Sequence, residues 1–332
     1  MELPELRARR LIAQGLASSA ARPATDTPLA AARHLLAVQG QTYDAGIRAL
    51  ALRISPAAPD DAAVLSAVGS LAVVRSWPVR GTLHFLAAED VRWLSRLSFP
   101  RVGAGQAQRR PGLGLSEPDV ARARDALQAA LRERGAVNPL TRAEAYAVFA
   151  EAGVSPEGGR GPHLLRAFSG EGDVAQGPRG PQGPVTQRET FIHVDDLPVE
   201  QAEPDDPLTE LGTRYVAGHG PACSKDLATW AYLTATDAKA ALARARDSYA
   251  VKVGRREYFL PEWQGDVTAA ELAAALELSI ELPAFDEYLL GYAHKEEIIP
   301  DEDVRKDVLT SNGLSWPWMM EGGIGTRSLR KN

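Results

Sequence analysis

A single cysteine, Cys223, stands in 332 residues, so no intrachain disulfide can form and no Cys-rich zinc site can be built. The six histidines (His34, His84, His163, His193, His219 and His294) are scattered, with neither an HExxH nor any other paired spacing. No structural metal is expected. No apolar run reaches spanning length, and the charged start MELPELRARR is not followed by an apolar stretch of signal-peptide length. A cytoplasmic protein without membrane contact is the expectation. Walker loop, dinucleotide fingerprint after a strand, GxSxG elbow and EF-hand loop are all missing too, which removes the common phosphate, hydrolase and calcium chemistries.

What is present is ordinary globular material, 45% hydrophobic and 24% charged, long enough for two or three units with cores of their own. The net charge of −6 is unevenly placed. Residues 1–150 carry 19 arginines, no lysine and 13 acids, a balance of +6, and the remainder is at −12. An arginine-only positive half is compatible with phosphate contacts, and equally with a solvated helical surface.

Periodicity gives the organisation. Leu11, Ile12 and Leu16, then Leu29, Leu35, Leu36 and Val38, recur at helical spacing, with Asp26 or Thr27 before Pro28 as a start signal. A helix at 60–69 is followed by two β-like runs, 71–77 and 82–86, around the turn Pro78–Gly81, and a helix resumes at Glu89. The order recurs. Residues 117–134 form an arginine-rich helix, Thr141 and Glu144 make a capping-box pattern, Pro162–Phe168 is helical, and two β-like runs flank a Gly/Pro loop, GPRGPQGP. After an EPDDP linker it appears a third time: helices at 208–218, 225–234 and 236–248, then a hairpin over 249–260. The expected fold is mainly α with β-hairpin wings (α+β): three tandem winged-helix units at 1–100, 101–202 and 203–265, and a C-terminal helix and β region at 266–332.

Where the second helix gives way to a turn, Gln39 and Gln41 flank Gly40. Two glutamines beside a glycine are also a natural way for a helix to end in water. The adjacent acids Asp195-Asp196 and Asp286-Glu287 read as solvated surface pairs, Asp44 as a helix-start residue, His84 as packed, and Cys223 as inert.

Four segments taken in order carry a resemblance: the Gln-x-Gln element, SWPVRGTLHFL, HGPACSKDLATWAYL and LPAFDEYLLGY. Together they resemble the AlkZ-like DNA glycosylases over about residues 5–327, in the branch with Gln-x-Gln rather than Gln-x-Asp. That family includes the enzyme that protects a producer of the DNA cross-linker azinomycin. The resemblance implies a C-shaped array of three winged helices with a basic channel for double-stranded DNA, a small C-terminal β-domain, and Gln39 and Gln41 as the catalytic pair. Family members continue past the GTxR-like segment, here Gly325-Thr326-Arg327, so an incomplete β region is expected.

The chemistry fits two uncharged amides. An N-alkylated purine is cationic and leaves as a neutral base, so the enzyme needs an oriented water and relief for an oxocarbenium-like charge rather than a strong acid. Glutamine oxygens can accept hydrogen bonds from that water. Arg80 at the first hairpin turn and Arg179 and Arg188 at the second wing are the candidate DNA contacts. The expectation is a cofactor-free, monomeric, monofunctional glycosylase of alkylated purines, interstrand cross-links included. The alternative is a non-catalytic winged-helix DNA-binding transcriptional regulator.

Overall fold

The computed structural model describes residues 1–180 and 188–330, so residues 181–184 of the expected Gly/Pro wing loop lie outside the described residues. The chain forms two compact units: Met1–Leu65 with Asp205–Asn332, and Ser66–Pro204. Secondary structure is mixed α and β with small antiparallel sheets.

The first unit opens with α1 (Leu3–Ala13), α2 (Pro28–Leu35), the two-residue strand β1 (Val38–Gln39), α3 (Tyr43–Ile54) and the start of α4 (Asp61–Gly69). The second unit carries β2 (Val73–Val79), β3 (Thr82–Ala87), α5 (Val91–Ala107), α6 (Glu117–Arg134), β4 (Leu140–Thr141), α7 (Arg142–Glu151), α8 (Arg160–Gly170), β5 (Val174–Gln176) and β6 (Thr190–His193). The chain then returns to the first unit with α9 (Pro207–His219), α10 (Ser224–Ala231), α11 (Ala235–Ala243), β7 (Ser248–Val253), β8 (Arg256–Pro261), α12 (Ala269–Leu276), β9 (Ser279–Leu282), the single turn α13 (Glu287–Leu290), α14 (Glu302–Val308), β10 (Trp318–Glu321) and β11 (Ile324–Ser328).

In the second unit the strands run in the order β3-β2-β5-β6-β4, every pair antiparallel. Its two hairpins therefore share one sheet, joined where Arg75 of β2 pairs with Gln176 of β5 and the two side chains bond at 2.8 Å. Helix α6 shows how sequence makes the core. Ser116 caps it in a box with Asp119, and Val120, Ala123, Leu127 and Leu131 fall on one buried stripe. That stripe meets Phe149, Phe168 and Phe191 from α7, α8 and β6, so Leu127→Ala would cost about 2–5 kcal/mol.

In the first unit α2 starts where its cap predicts, Thr27 accepting from the Ala30 amide. Helix α9 then crosses the last turn of α2 at Gly218, where a Cβ would sit 2.4 Å from the His34 carbonyl oxygen. No side chain is tolerated at that approach. It fixes the end of α2, and with it the segment that carries the two glutamines.

Candidate active site

Helix α2 stops at Leu35, three residues before its apolar periodicity does. Leu36 turns the chain at φ 65°, ψ −50°, and the Ala37 amide bonds back to the Leu35 carbonyl at 2.8 Å. This is a tight γ-turn on a buried leucine, a conformation costing about 1–3 kcal/mol that persists only where the surroundings impose it. The chain leaves it extended through Val38–Gln39 and enters α3 four residues later. The Gln39 side chain lies folded against its own loop: its Oε1 accepts the Gln41 amide N–H at 3.0 Å. Gln39 is 6% exposed and Gln41 is exposed. The Gln39 oxygen retains a second lone pair, and one amide is anchored while the other reaches solvent. Asp44 sits in the first turn of α3 and is exposed, a helix-start residue as its position suggested.

Directly behind this loop lies LPAFDEYLLGY, and here one expectation from the sequence is corrected. Asp286 and Glu287 are not solvated surface acids; both are 0% exposed. Glu287 accepts the Gln39 backbone N–H on Oε1 at 2.9 Å and the Trp230 indole N–H on Oε2 at 2.9 Å. His219 Nε2 stands 3.6 Å from the same carboxylate, beyond hydrogen-bond range. Asp286 caps α13 by accepting from the Tyr288 amide and forms a two-pronged pair with Arg53, at 2.5 and 2.7 Å. Arg53 also donates to Gln14 Oε1 at 2.9 Å, and the Gln14 amide donates to the Glu287 carbonyl at 3.1 Å. These acids look solvated in sequence because their partners lie far away, Arg53 by 233 residues and Gln39 by 248. Phe285, just ahead of them, is itself left-handed at φ 62°, so a strained non-glycine residue precedes each side of the Gln39–Glu287 contact.

Around this contact the unit is closely packed and aromatic. His219 stacks on Tyr215 at 4.5 Å between centroids, and the Tyr292 hydroxyl donates to the His219 carbonyl. Burial pushes the Tyr292 and Tyr215 hydroxyls far above the usual phenol range. Cys223 is buried, and burial together with nearby Asp226 pushes its thiol up to about 11. Both effects keep it in the thiol form at neutral pH.

The three arginines singled out in the sequence belong to the second unit. Arg80 is half-buried at the β2–β3 turn, with its Nη2 3.2 Å from His84 Nε2. His84 is fully buried and its Nδ1 lies 2.8 Å from the Thr82 carbonyl. That carbonyl can only accept, so Nδ1 carries the proton and Nε2 accepts from Arg80. The packed role expected for His84 is thereby specified: it orients the turn arginine. Arg179 and Arg188 stand at the two stems of the loop between β5 and β6, half-buried, where the Gly180 amide donates to the Arg188 carbonyl at 2.8 Å.

Two other arginines carry no mark in the sequence. Arg166 of α8 lies half-buried against the Gly81 turn, where a Cβ would meet its Nη2 at 2.7 Å and Val102 at 2.8 Å. Gly81 sits at φ +62°, a backbone that also favours glycine. Neither Arg166 nor the exposed Arg109 has a carboxylate partner among the described residues. Burial and then Arg109 push the Arg166 guanidinium down, and burial followed by Arg110, Arg109 and Arg166 pushes His163 down. A half-buried guanidinium crowded by like charge and facing no acid is suited to an anion. No sequence spacing marks it, because its contributors come from α5, α8 and a hairpin turn.

Among the described residues no group of three or more His, Cys, Asp or Glu converges as a metal-binding set, and no helix is long and apolar enough to cross a membrane.

A family model described as DNA glycosylase AlkZ-like matches residues 32–325. Among solved structures, the chain is similar to the Streptomyces sahachiroi DNA glycosylase AlkZ, with a TM-score of 0.73 at 21% identity, covering 98% of this chain and 86% of that one. No curated protein matches the chain by sequence.

Proposed function

The chain belongs to the AlkZ-like DNA glycosylase family, and from that premise we propose that it hydrolyses the N-glycosidic bond of cationic N-alkylated purines in duplex DNA, interstrand cross-links included. The observation that carries this reading is the placement of the two glutamines on one loop, with the Gln39 side chain bonded to the Gln41 backbone N–H. The Gln39 backbone N–H is held by Glu287 and its side-chain oxygen by the Gln41 backbone N–H, while Gln41 reaches solvent. Two uncharged acceptors on one loop, the Gln39 oxygen held and the Gln41 carboxamide open to solvent, suit a water attacking C1′ as a cationic base departs. They do not suit the removal of ordinary uracil or adenine, which needs a proton delivered to the leaving base. The reaction is simple hydrolysis by a monomer, leaving an abasic site, with no cofactor in any step. The three helices-then-hairpin runs are the winged-helix units of this reading. Arg80, Arg179 and Arg188 contact DNA phosphates, and Arg166 with Arg109 adds a further phosphate contact on the second unit. The protein works in the cytoplasm, on the nucleoid.

The test is release of 7-methylguanine from methylated duplex by purified protein. Gln39→Ala and Gln41→Ala should each slow release by about 10²-fold, the usual cost of losing one oriented group in a preorganised site. No release by the wild type, or full release by both variants, ends the assignment.

A further inference from the structure

We propose that Glu287 is a positioning residue for the glycosylase reaction: its buried carboxylate, clamped between the Trp230 indole and the Gln39 backbone amide, sets the place and orientation of Gln39. The proposal rests on the catalytic reading of Gln39 given above.

The argument begins from the accounting of buried charge. A carboxylate with no exposed surface is expensive unless each oxygen is satisfied by a donor. Glu287 divides its two oxygens between two N–H groups, one from Trp230 and one from Gln39, both at 2.9 Å. The indole comes from a fully buried ring on α10, so one oxygen is held by a rigid wall of the unit. The other oxygen is thereby aimed, and the backbone it holds belongs to the very residue whose side chain folds onto Gln41. The carboxylate itself is kept in place at both ends of its residue: the Gln14 amide holds the Glu287 carbonyl, and Asp286, locked by Arg53, caps the turn on which Glu287 sits. The strained residues Leu36 and Phe285 bring the two chain segments to this one contact. Charge-assisted hydrogen bonds from a fixed acceptor are stronger and more directional than neutral ones. A glutamine in a loop gains its orientation from such an anchor, and a displacement of about 1 Å at a catalytic group can cost about 10²-fold in rate.

Glutamine at position 287 can accept only one of the two donors and turns an N–H toward the other. Glu287→Gln should therefore slow single-turnover release of 7-methylguanine by about 10²-fold per folded molecule while leaving affinity for an uncleavable abasic-site duplex within about threefold. Removing the competing donor should undo this. In Trp230→Phe/Glu287→Gln the one remaining oxygen is available to Gln39, and the rate should return to within about threefold of Trp230→Phe alone. Amide hydrogen exchange at Gln39 supplies a readout independent of activity, slow in the wild type and the double variant and fast in Glu287→Gln.

A purely structural glutamate would lower the unfolding temperature and expose the Gln39 amide while each folded molecule kept its full rate. That result, with Gln39→Ala still slow, overturns the proposal and leaves the catalytic reading intact. A Gln39→Ala variant as fast as the wild type removes the catalytic reading and the proposal with it. Should Glu287→Gln fail to fold, the double variant decides: a protected Gln39 amide with the Trp230→Phe rate supports the proposal, and a protected amide with a lost rate overturns it.

Discussion

Removing the carboxylate of Asp286 isolates one of the most deeply buried charges in the first unit. Arg53 is 1% exposed and its two terminal nitrogens both engage Asp286, at 2.5 and 2.7 Å. Asp286→Ala leaves that guanidinium with the Ala49 carbonyl and Gln14 Oε1 as its remaining acceptors, neither of them charged. Breaking such a pair from one side costs about 3–5 kcal/mol, because the stranded charge cannot return to water. For a unit of this size each kcal/mol moves the melting temperature by about 2–4 °C, so Asp286→Ala should melt about 6–20 °C lower by circular dichroism. The double change Arg53→Met/Asp286→Leu should recover most of that loss, since packed apolar side chains replace a buried pair at little net cost. The pair also ties α3 to the turn carrying Glu287, so Asp286→Ala should weaken amide protection at Gln39 more than at α6. A shift under about 2 °C would refute the reasoning: either Arg53 finds water, or the pair is more solvated than its burial indicates.

Further outcomes follow from the geometry. Arg166→Ala should weaken duplex binding on any sequence and lower the slope of log affinity against log salt by about 0.9, measured by fluorescence anisotropy over a salt series; an unchanged slope removes Arg166 from the DNA surface. Cys223, with its thiol pushed up to about 11, should resist a thiol reagent at pH 8 until the protein is unfolded, and prompt labelling of the native protein would contradict its burial. His34 donates to the Ala13 carbonyl and is pushed down to about 4, chiefly by burial. The unfolded chain therefore binds one more proton than the native one between pH 4 and the ordinary histidine value of about 6.5. Stability should fall as pH drops through that window, by about 2 kcal/mol after allowance for partial exposure. Between pH 6.5 and 4 the urea midpoint of the wild type should fall more steeply than that of His34→Gln, and parallel curves would count against this residue as the cause.

Much of the fold is legible because the signals are local. Thr27 before Pro28, the Thr141–Glu144 box and the stripe on α6 each specify a helix from within a few residues, and the chain folds as they say. The β-rich runs beside Pro78–Gly81 likewise become β2 and β3. The helix end before Gln39 is less legible. Periodicity runs through Val38, but the crossing of α9 at Gly218 and the pull of Glu287 stop α2 at Leu35, and both act from more than 180 residues away. The same distance hides the character of Asp286 and Glu287. Adjacent acids carry no mark of burial until the arginine, indole and amide that satisfy them are known, and each comes from a different element. Arg166 is hidden for the opposite reason: what distinguishes it is the lack of a carboxylate partner among the described residues, which no sequence displays.

The placement of the carboxylate bears on what the site can do. Had an acid stood where Gln41 stands, facing solvent, it would be a general base able to take a proton from water. Here the nearest acid to Gln39 is Glu287, fully buried and with both oxygens occupied by N–H donors. Its negative charge reaches the reaction only through a peptide unit and a neutral carboxamide. On the proposed reading, such an arrangement would fix a water and favour positive charge at the sugar, with neither glutamine serving as a proton acceptor. Acceleration is then expected only for substrates whose leaving group is already charged. Gln41→Asp tests this directly. It should keep release of 7-methylguanine and acquire a pH dependence near the carboxylate range, which the wild type should lack. A wild type whose rate falls across that same range, with Glu287→Gln abolishing the fall, would mean that the buried acid takes the proton itself, and the division between a neutral front and a charged back would be lost.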